Sequence, residues 1–429
     1  MSDLQAQLAE LRQRIARVSS DCDRKFSARA TPEFVTFSPF NETPRPGHEY
    51  VAEWMAGDEI ETEFGRHLET EKLYERHRRH GSADIGALTD LPPDLFECLS
   101  GEPMPRVPPE QWAFLDTETT GLAGGAGTCA FLIGVGRITH DGFRVRQFFM
   151  RDHGEEASTL DALSRHLAQF RVMITYNGRA YDQPLLETRY RLNRAKPPFA
   201  RMEHLDLLHG ARRLWKLRFE SCRLVDLENQ VLGVERQGDL AGALIPYVYF
   251  EYLRTRDAAR MIPIFHHNAL DILTLACLTA IVPYAFREPG SPENGSSPLT
   301  NGAELVGIAR WLRHAGELDH ARKLFRRAVD AGLRDELLFQ TLWDLAAIER
   351  KLGAMESALS VWSDLAGSRN PFRVAALEEL AKHYEHREKD HVRALDLTRA
   401  ALELEDTADL RKREDRLKKK LAVNKRECT

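Results

Sequence analysis

The chain has 429 residues, 43% hydrophobic and 29% charged, with a formal net charge of −5. That length holds two or three domains of ordinary globular composition, and the acidic balance is no evidence for general nucleic-acid binding, so any basic contact face must be local. The six cysteines (Cys22, Cys98, Cys129, Cys222, Cys277, Cys428) are scattered, with no Cys-x-x-Cys pair. This argues against zinc and disulfide frameworks and fits a reducing, cytoplasmic compartment. Residues 1–30 are polar and charged, unlike a signal peptide. The apolar stretch Ile272 to Phe286 is too short to span a bilayer and contains Thr274, Thr279 and Pro283, so it reads as a core helix and no membrane contact is expected.

In chain order, Leu4, Leu8, Leu11 and Ile15 have the spacing of a short amphipathic helix. Residues 32–47 read as irregular. Glu59 to Arg79 is dense in charge, with Phe64, Leu68 and Leu73 as a thin apolar stripe, and reads as a solvated helix. Its basic cluster Arg76 to Arg79 could alternatively touch phosphate. Prolines in 102–109 suggest a boundary after an N-terminal region, 1–106, that is helical or irregular. Trp112 to Glu118 is a buried strand, followed by a Gly/Ala-rich loop at 122–128. Phe131 to Thr139 and Phe143 to Met150 are strands joined at Asp141-Gly142, a hairpin dipeptide. Glu155 to Phe170 is an amphipathic helix, and Val172 to Tyr176 a fourth strand. Strands one and four can lie side by side in a mixed sheet. Asn177-Gly178 is a turn into a helix at 181–194. Glu203 to His209 is a fifth strand running into a helix. Arg212, Arg213, Lys216 and Arg218 beside Trp215 would suit single-stranded nucleic acid if exposed, or are a plain charge run. Helices follow at 223–232, 243–255 and 258–286.

A Pro/Gly/Ser/Asn-rich linker at 288–302 precedes a purely helical region, 303–408. There His320-Ala-Arg-Lys-Leu-Phe, Glu356-Ser-Ala-Leu-Ser-Val-Trp and Val392-Arg-Ala-Leu-Asp-Leu recur about every three dozen residues, Gly316 and Gly353 preceding the first two. This approximates three degenerate tetratricopeptide repeats. The tail, 409–429, is basic and expected to fray.

Asp116 and Glu118, two apart on a strand, face the same way. Buried together they repel, and a divalent cation such as Mg²⁺ is the natural neutraliser. Asp182 starts a helix near the same strand ends, either as a helix cap or as a further ligand. His267 and Asp271 share a helix face, with His266 well round from both. A mononuclear zinc site from His204, Asp206, His266 and His267 matches no zinc spacing.

Asp116-x-Glu118, Asn177-x-x-x-Tyr181-Asp182 and His267-x-x-x-Asp271 together resemble the three motifs of the DEDD exonucleases of the ribonuclease H-like superfamily. The resemblance is nearer to the bacterial ribonuclease H-like domains joined to tetratricopeptide repeats. There His-Asn-x-x-Asp closes the third motif, and His204-x-Asp206-Leu-Leu and Ile245-Pro246 look like signatures. It covers residues 111–286. It implies an α/β ribonuclease H-like mixed sheet with flanking helices over 107–287, plus the all-α C-terminal domain. It further implies a metal-dependent 3′–5′ exonuclease with two Mg²⁺ or Mn²⁺ ions held by Asp116, Glu118, Asp182 and Asp271. A histidine would be the general base, and the shared face with Asp271 favours His267 over His266. Thr119, Gly121, Leu122, Asn177 and Tyr181 are the implied substrate contacts, Leu122 as a wedge or else a core leucine. The implied substrate is nucleic acid, as a single-stranded DNA or RNA 3′ end, and the repeats could dock a protein partner. The alternative is a non-catalytic scaffold that binds nucleic acid through the sheet domain and protein through the repeats.

Overall fold

The computed structural model of the chain describes residues 57–99, 104–121, 127–236, 238–287 and 301–427, with side chains up to 422. The helix expected at Leu4–Ile15, the irregular 32–47 stretch, Leu122 and most of the linker lie outside them.

Compactness divides the chain into two units. The first comprises the described residues up to Asp90, then 109–204 and 233–276. It is built on a seven-stranded mixed sheet of β1 (Asp58–Thr62), β2 (Gly65–Glu75), β3 (Trp112–Thr119), β4 (Ala130–Thr139), β5 (Gly142–Phe149), β6 (Val172–Thr175) and β7 (Glu203–Asp206). Their order is β1-β2-β5-β4-β3-β6-β7. The pairs from β1 through β3 are antiparallel, whereas β3 and β6 run parallel, Trp112 opposite Val172. Strands one and four of the sequence reading therefore do lie side by side. The Asp141-Gly142 hairpin holds as well. Gly142 has φ +141°, and a Cβ there would sit 2.2 Å from the Tyr74 carbonyl oxygen.

The stretch expected as a solvated helix, Glu59 to Arg79, is instead the β1–β2 hairpin. Its charges explain the misreading. Glu71 on β2 takes Arg144 and Arg146 of β5 at 2.9 Å each, so the charge density is a cross-strand ladder instead of a helix surface. Leu68 and Thr70 alternate inward as a strand requires, while Phe64 sits exposed in the turn. Arg78 closes on Glu75 at 3.2 Å. The N-terminal region is thus part of the sheet from Asp58 onward.

Helices cover both faces of this sheet. On one, α1 (Glu156–Leu167) buries Leu160, Leu163 and Leu167 against Ile133, Val135 and Phe148, joined by α2 (Asp182–Leu192). On the other, α4 (Ile245–Thr255) and α5 (Ile262–Thr279) pack Tyr249, Tyr252, Ile264 and Phe265 onto Phe131 and Phe149. The intervening helix α3 (Leu207–Trp215) belongs to the second unit. The single helix expected over 258–286 is broken. A 3₁₀ turn precedes α5, and α6 (Val282–Arg287) restarts after residues 280–281, with Pro283 in its first turn, where a missing N–H is tolerated. The segment Ala258–Arg287 is long and apolar enough to cross a membrane, but 72% of its most apolar window is buried inside the protein, as in a core helix.

The described residues of the second unit are mainly helical, with Leu205 and Asp206 of β7 at its edge. Trp215 at the end of α3 is buried and its indole N–H donates to Glu304 at 3.0 Å, with Arg218 at 2.7 Å from the same carboxylate. The suspected strand-binding aromatic is therefore a structural anchor. The C-terminal helices α7 (Gly302–His314), α8 (Leu318–Asp330), α9 (Asp335–Lys351), α10 (Met355–Gly367), α11 (Arg373–His383) and α12 (His391–Leu404) pack in sequential pairs. The turn within each pair uses a left-handed residue: Gly316 (φ +88°), Gly353 (φ +80°) and Lys389 (φ +57°). Over its described residues the tail is helical: α13 (Ala408–Glu427) buries Leu410 and Leu417. Its Arg413, Arg416 and Lys420 converge on the buried Glu385 at 3.1, 2.8 and 2.9 Å.

Candidate active site

The site forms at the carboxyl end of β3. Trp112 to Leu115 is fully buried, and Asp116 is the first polar residue after it. Opposite Asp116 on β4 is Gly134, and opposite Phe114 is Gly136. A Cβ on Gly134 would lie 2.2 Å from both Asn268 Oδ1 and Ile272 Cδ1, and one on Gly136 2.5 Å from Ile272. The two glycines thus let α5 seat directly on the sheet, which carries Asn268, His267 and Asp271 to the end of β3. Buried Asn268 donates to Asp116 Oδ2 at 2.9 Å. Gln147 Nε2 donates to Asn268 Oδ1 at 2.9 Å and to the Phe265 carbonyl at 2.8 Å, and Thr70 donates to Gln147 at 3.1 Å. This chain of satisfied polar groups fixes Asp116.

Asp182 arrives from the other side. At the end of β6 the chain turns at Asn177, with φ +68°, a conformation asparagine tolerates. A Cβ on Gly178 would meet Thr175 at 2.5 Å, so the turn is tight. Asp182 then opens α2, and its carboxylate accepts from Thr117 Oγ1 at 2.5 Å. Tyr181 occupies the cap position, so the helix-cap reading of Asp182 does not apply. His204 braces this corner, its Nε2 at 2.8 Å from Thr175 Oγ1 and its Nδ1 at 2.6 Å from Gln183 Oε1.

On α5, His267 Nε2 lies 3.5 Å from Asp271 Oδ2, one turn away. His267 Nδ1 lies 2.8 Å from Asp239 Oδ1. Arg236, almost wholly buried, donates to Asp271 at 2.6 Å and to Asp239 at 3.3 Å. The His266 side chain reaches solvent, yet partial desolvation by the surrounding protein, and then the Lys72 charge, lower its pKa.

These groups feel one another strongly. Burial, then the charges of Asp271, Glu118 and Asp182, push Asp116 well above the usual carboxylate range, against the Asn268 hydrogen bond. Burial pushes Glu118 up to about 8, with Asp271, Asp182 and Asp239 adding to it and His267 opposing. Burial pulls His267 down, but the Asp239 hydrogen bond and the charges of Asp271 and Glu118 prevail and raise it to about 9. The four acids are therefore brought together, and their mutual repulsion is relieved here by protons, by His267 and by Arg236.

A donor set of hard carboxylate oxygens short of counter-charge fits Mg²⁺ or Mn²⁺. As the side chains stand, no group of three His, Cys, Asp or Glu among the described residues is drawn close enough to hold an ion. Asp182 is turned to Thr117, Asp116 to Asn268 and Asp271 to Arg236. The zinc alternative fares worse: His204 is held by Thr175 and Gln183, Asp206 accepts from the Leu208 N–H at 3.1 Å, and His266 is exposed.

Of the implied substrate contacts, Thr119 donates to the Gly121 carbonyl at 2.9 Å and so shapes the turn after β3. Tyr181 is 62% exposed beside Asp182, and Asn177 forms the left-handed turn before it. Leu122 lies outside the described residues. Sequence reasoning missed Asp239, Arg236 and the role of Asn268. Asn268 had a signal, a lone amide beside His267 in a largely apolar helix. Asp239 and Arg236, on an irregular segment between helices, had none.

A family model described as the RNase_H superfamily matches residues 113–282. The uncharacterized protein YprB of Bacillus subtilis (strain 168) is 33% identical over 315 residues, which cover 72% of this chain and 74% of that protein.

Proposed function

Since this chain belongs to the RNase_H superfamily, in which nucleases that use divalent metals are general, we propose that it is a metal-dependent 3′–5′ exonuclease of the DEDD type. Its substrate is a single-stranded DNA or RNA end. The observation that carries the reading is the convergence of Asp116, Glu118, Asp182 and Asp271, each close enough to raise the proton affinity of another. These four would hold two Mg²⁺ or Mn²⁺ ions. Bound there, the ions would activate the attacking water and stabilise the leaving 3′-oxygen. In the metal-free protein His267 is raised to about 9 and so is charged at neutral pH; cations bound at the acids would lower that pKa, and the neutral ring would then accept the water's proton at Nε2, the nitrogen that faces Asp271. Tyr181, exposed at the rim, offers a face on which a terminal base can stack. The helix pairs of the second unit resemble tetratricopeptide repeats, with the same left-handed turn in each, and serve as a docking scaffold for a protein partner.

A second reading, a binding-only domain, has one observation in its favour: Arg236 already neutralises Asp271. One assay separates the two. Purified protein is incubated with 5′-labelled single-stranded DNA and RNA, with Mg²⁺, Mn²⁺ or EDTA, and with Asp182→Asn as control. The exonuclease reading expects a metal-dependent ladder shortening from the 3′ end, absent with EDTA and in the variant. Intact oligonucleotide under every condition leaves the binding-only reading.

A further inference from the structure

We propose that Asp239 is a positioning residue that fixes the ring orientation and tautomer of His267. The inference rests on the exonuclease reading only for its catalytic consequence. The geometry comes from a segment outside the three acidic motifs. Asp239 lies between the left-handed Gly238 (φ +75°) and α4, and its Oδ1 meets His267 Nδ1 at 2.8 Å. The carboxylate is itself tied down. The same Oδ1 accepts from the Leu240 N–H at 3.0 Å, and Arg236 Nη1 reaches Oδ2 at 3.3 Å. Arg236 in turn binds Asp271 at 2.6 Å, so one guanidinium registers the Asp239 segment against the acid-bearing face of α5.

An ionised carboxylate only accepts, so the Nδ1 it holds must carry the proton. The lone pair of the neutral ring then falls on Nε2, the nitrogen that lies toward Asp271 and the other acids. A ring without this partner could flip or take the opposite tautomer, and would point an N–H where a base is needed. This is the logic of a nucleophile's base held by a third group, here applied to a base that acts on water. It also separates the two histidines: among the described residues no carboxylate hydrogen-bonds exposed His266, and Asp239 reaches it only through its charge.

The test uses Asp239→Asn and Asp239→Ser in the full-length chain, with circular dichroism to confirm folding. Imidazole ¹⁵N correlation spectra, recorded about one pH unit above the raised His267 pKa so that the ring is neutral, and with His267 identified through His267→Gln, read the neutral-ring tautomer directly. In the wild type His267 should be protonated at Nδ1. Asp239→Asn, whose amide can donate, should convert a large fraction to the Nε2-protonated form. In the nuclease assay both variants should lower kcat about 10²–10⁴-fold, the range for losing a correctly presented base, with KM unchanged within about threefold. An unchanged His267 tautomer in both variants overturns the proposal, as does a changed tautomer with undiminished kcat. A wild type with no nuclease activity would remove the functional reading alone; the ring spectra would still decide whether Asp239 sets the tautomer.

Discussion

Freed of metal, the protein should lose stability as pH rises from 5 to 9, and much of that slope should belong to Glu118. In the unfolded chain this carboxyl titrates near its ordinary 4.5, whereas in the folded chain burial and neighbouring acids raise it to about 8. Between those values the folded state holds a proton that the unfolded state has released. Stability then falls by about 1.4 kcal/mol per pH unit for each such group. From pH 5 to 7 Glu118 alone accounts for about 2–3 kcal/mol. Asp116, also raised, has the same sign. His267, raised from 6.5 to about 9, contributes stability that is complete below 6.5 and lost as pH rises toward 9. Asp239, lowered from 3.8, gains its stability below this window and leaves it flat. The three sloping terms therefore add. A divalent cation supplies the missing positive charge, so Mn²⁺ should raise the melting temperature more at pH 8 than at pH 6, where protons already neutralise the acids. The assay is calorimetric unfolding of EDTA-treated protein across pH, with and without Mn²⁺, for the wild type and Glu118→Gln. The variant should lose the Glu118 share of the slope and melt higher than the wild type at pH 7. A metal-free melting temperature that climbs from pH 5 to 8, or a variant with the wild-type slope, would refute the electrostatic account of the site.

His267→Ala should cut single-turnover cleavage about 10²–10⁴-fold, while the exposed His266→Ala changes it little; a larger defect for His266 would reverse their roles. Gly134→Ala should destabilise the protein by about 1–3 kcal/mol and impair cleavage together, because its methyl displaces Asn268 and Ile272 of α5. Chemical denaturation and the nuclease assay on the same preparation check both. Glu385→Gln should cost about 1–3 kcal/mol at pH 7, since it strands Arg413, Arg416 and Lys420 around a buried neutral group; partial solvent screening of those cations keeps the figure modest. Glu385 is lowered from 4.5 to about 2, so this stabilisation is complete above 4.5 and lost as pH falls through 2. Urea titrations of wild type and variant at pH 7 and pH 3 should converge toward the lower pH.

The sequence by itself was enough for the central strands, for the hairpin and the adjacency of strands one and four, and for the elements on which the four acids sit. Those features rest on local signals: a buried run ending on Asp116-x-Glu118, a hairpin dipeptide at Asp141-Gly142, and a turn at Asn177-Gly178 that must lead into a helix. Each is set by backbone geometry or burial within a few residues. The β1–β2 hairpin was misread because its charges look alike on a helix and on a strand; only pairing with Arg144 and Arg146 on β5 distinguishes them. The docking of the basic helix α13 was invisible for a related reason, since the carboxylate it meets, Glu385, comes from an earlier helix pair. Gly134 and Gly136 read as ordinary strand residues, and only the seating of α5 shows that they set the depth at which Asn268 meets Asp116. Asp239 and Arg236 were invisible because an irregular segment has no period to betray which way a side chain faces. A hydrogen bond across 28 residues of sequence is decided by the packing of α5 on the sheet, and that packing depends on residues far from either partner.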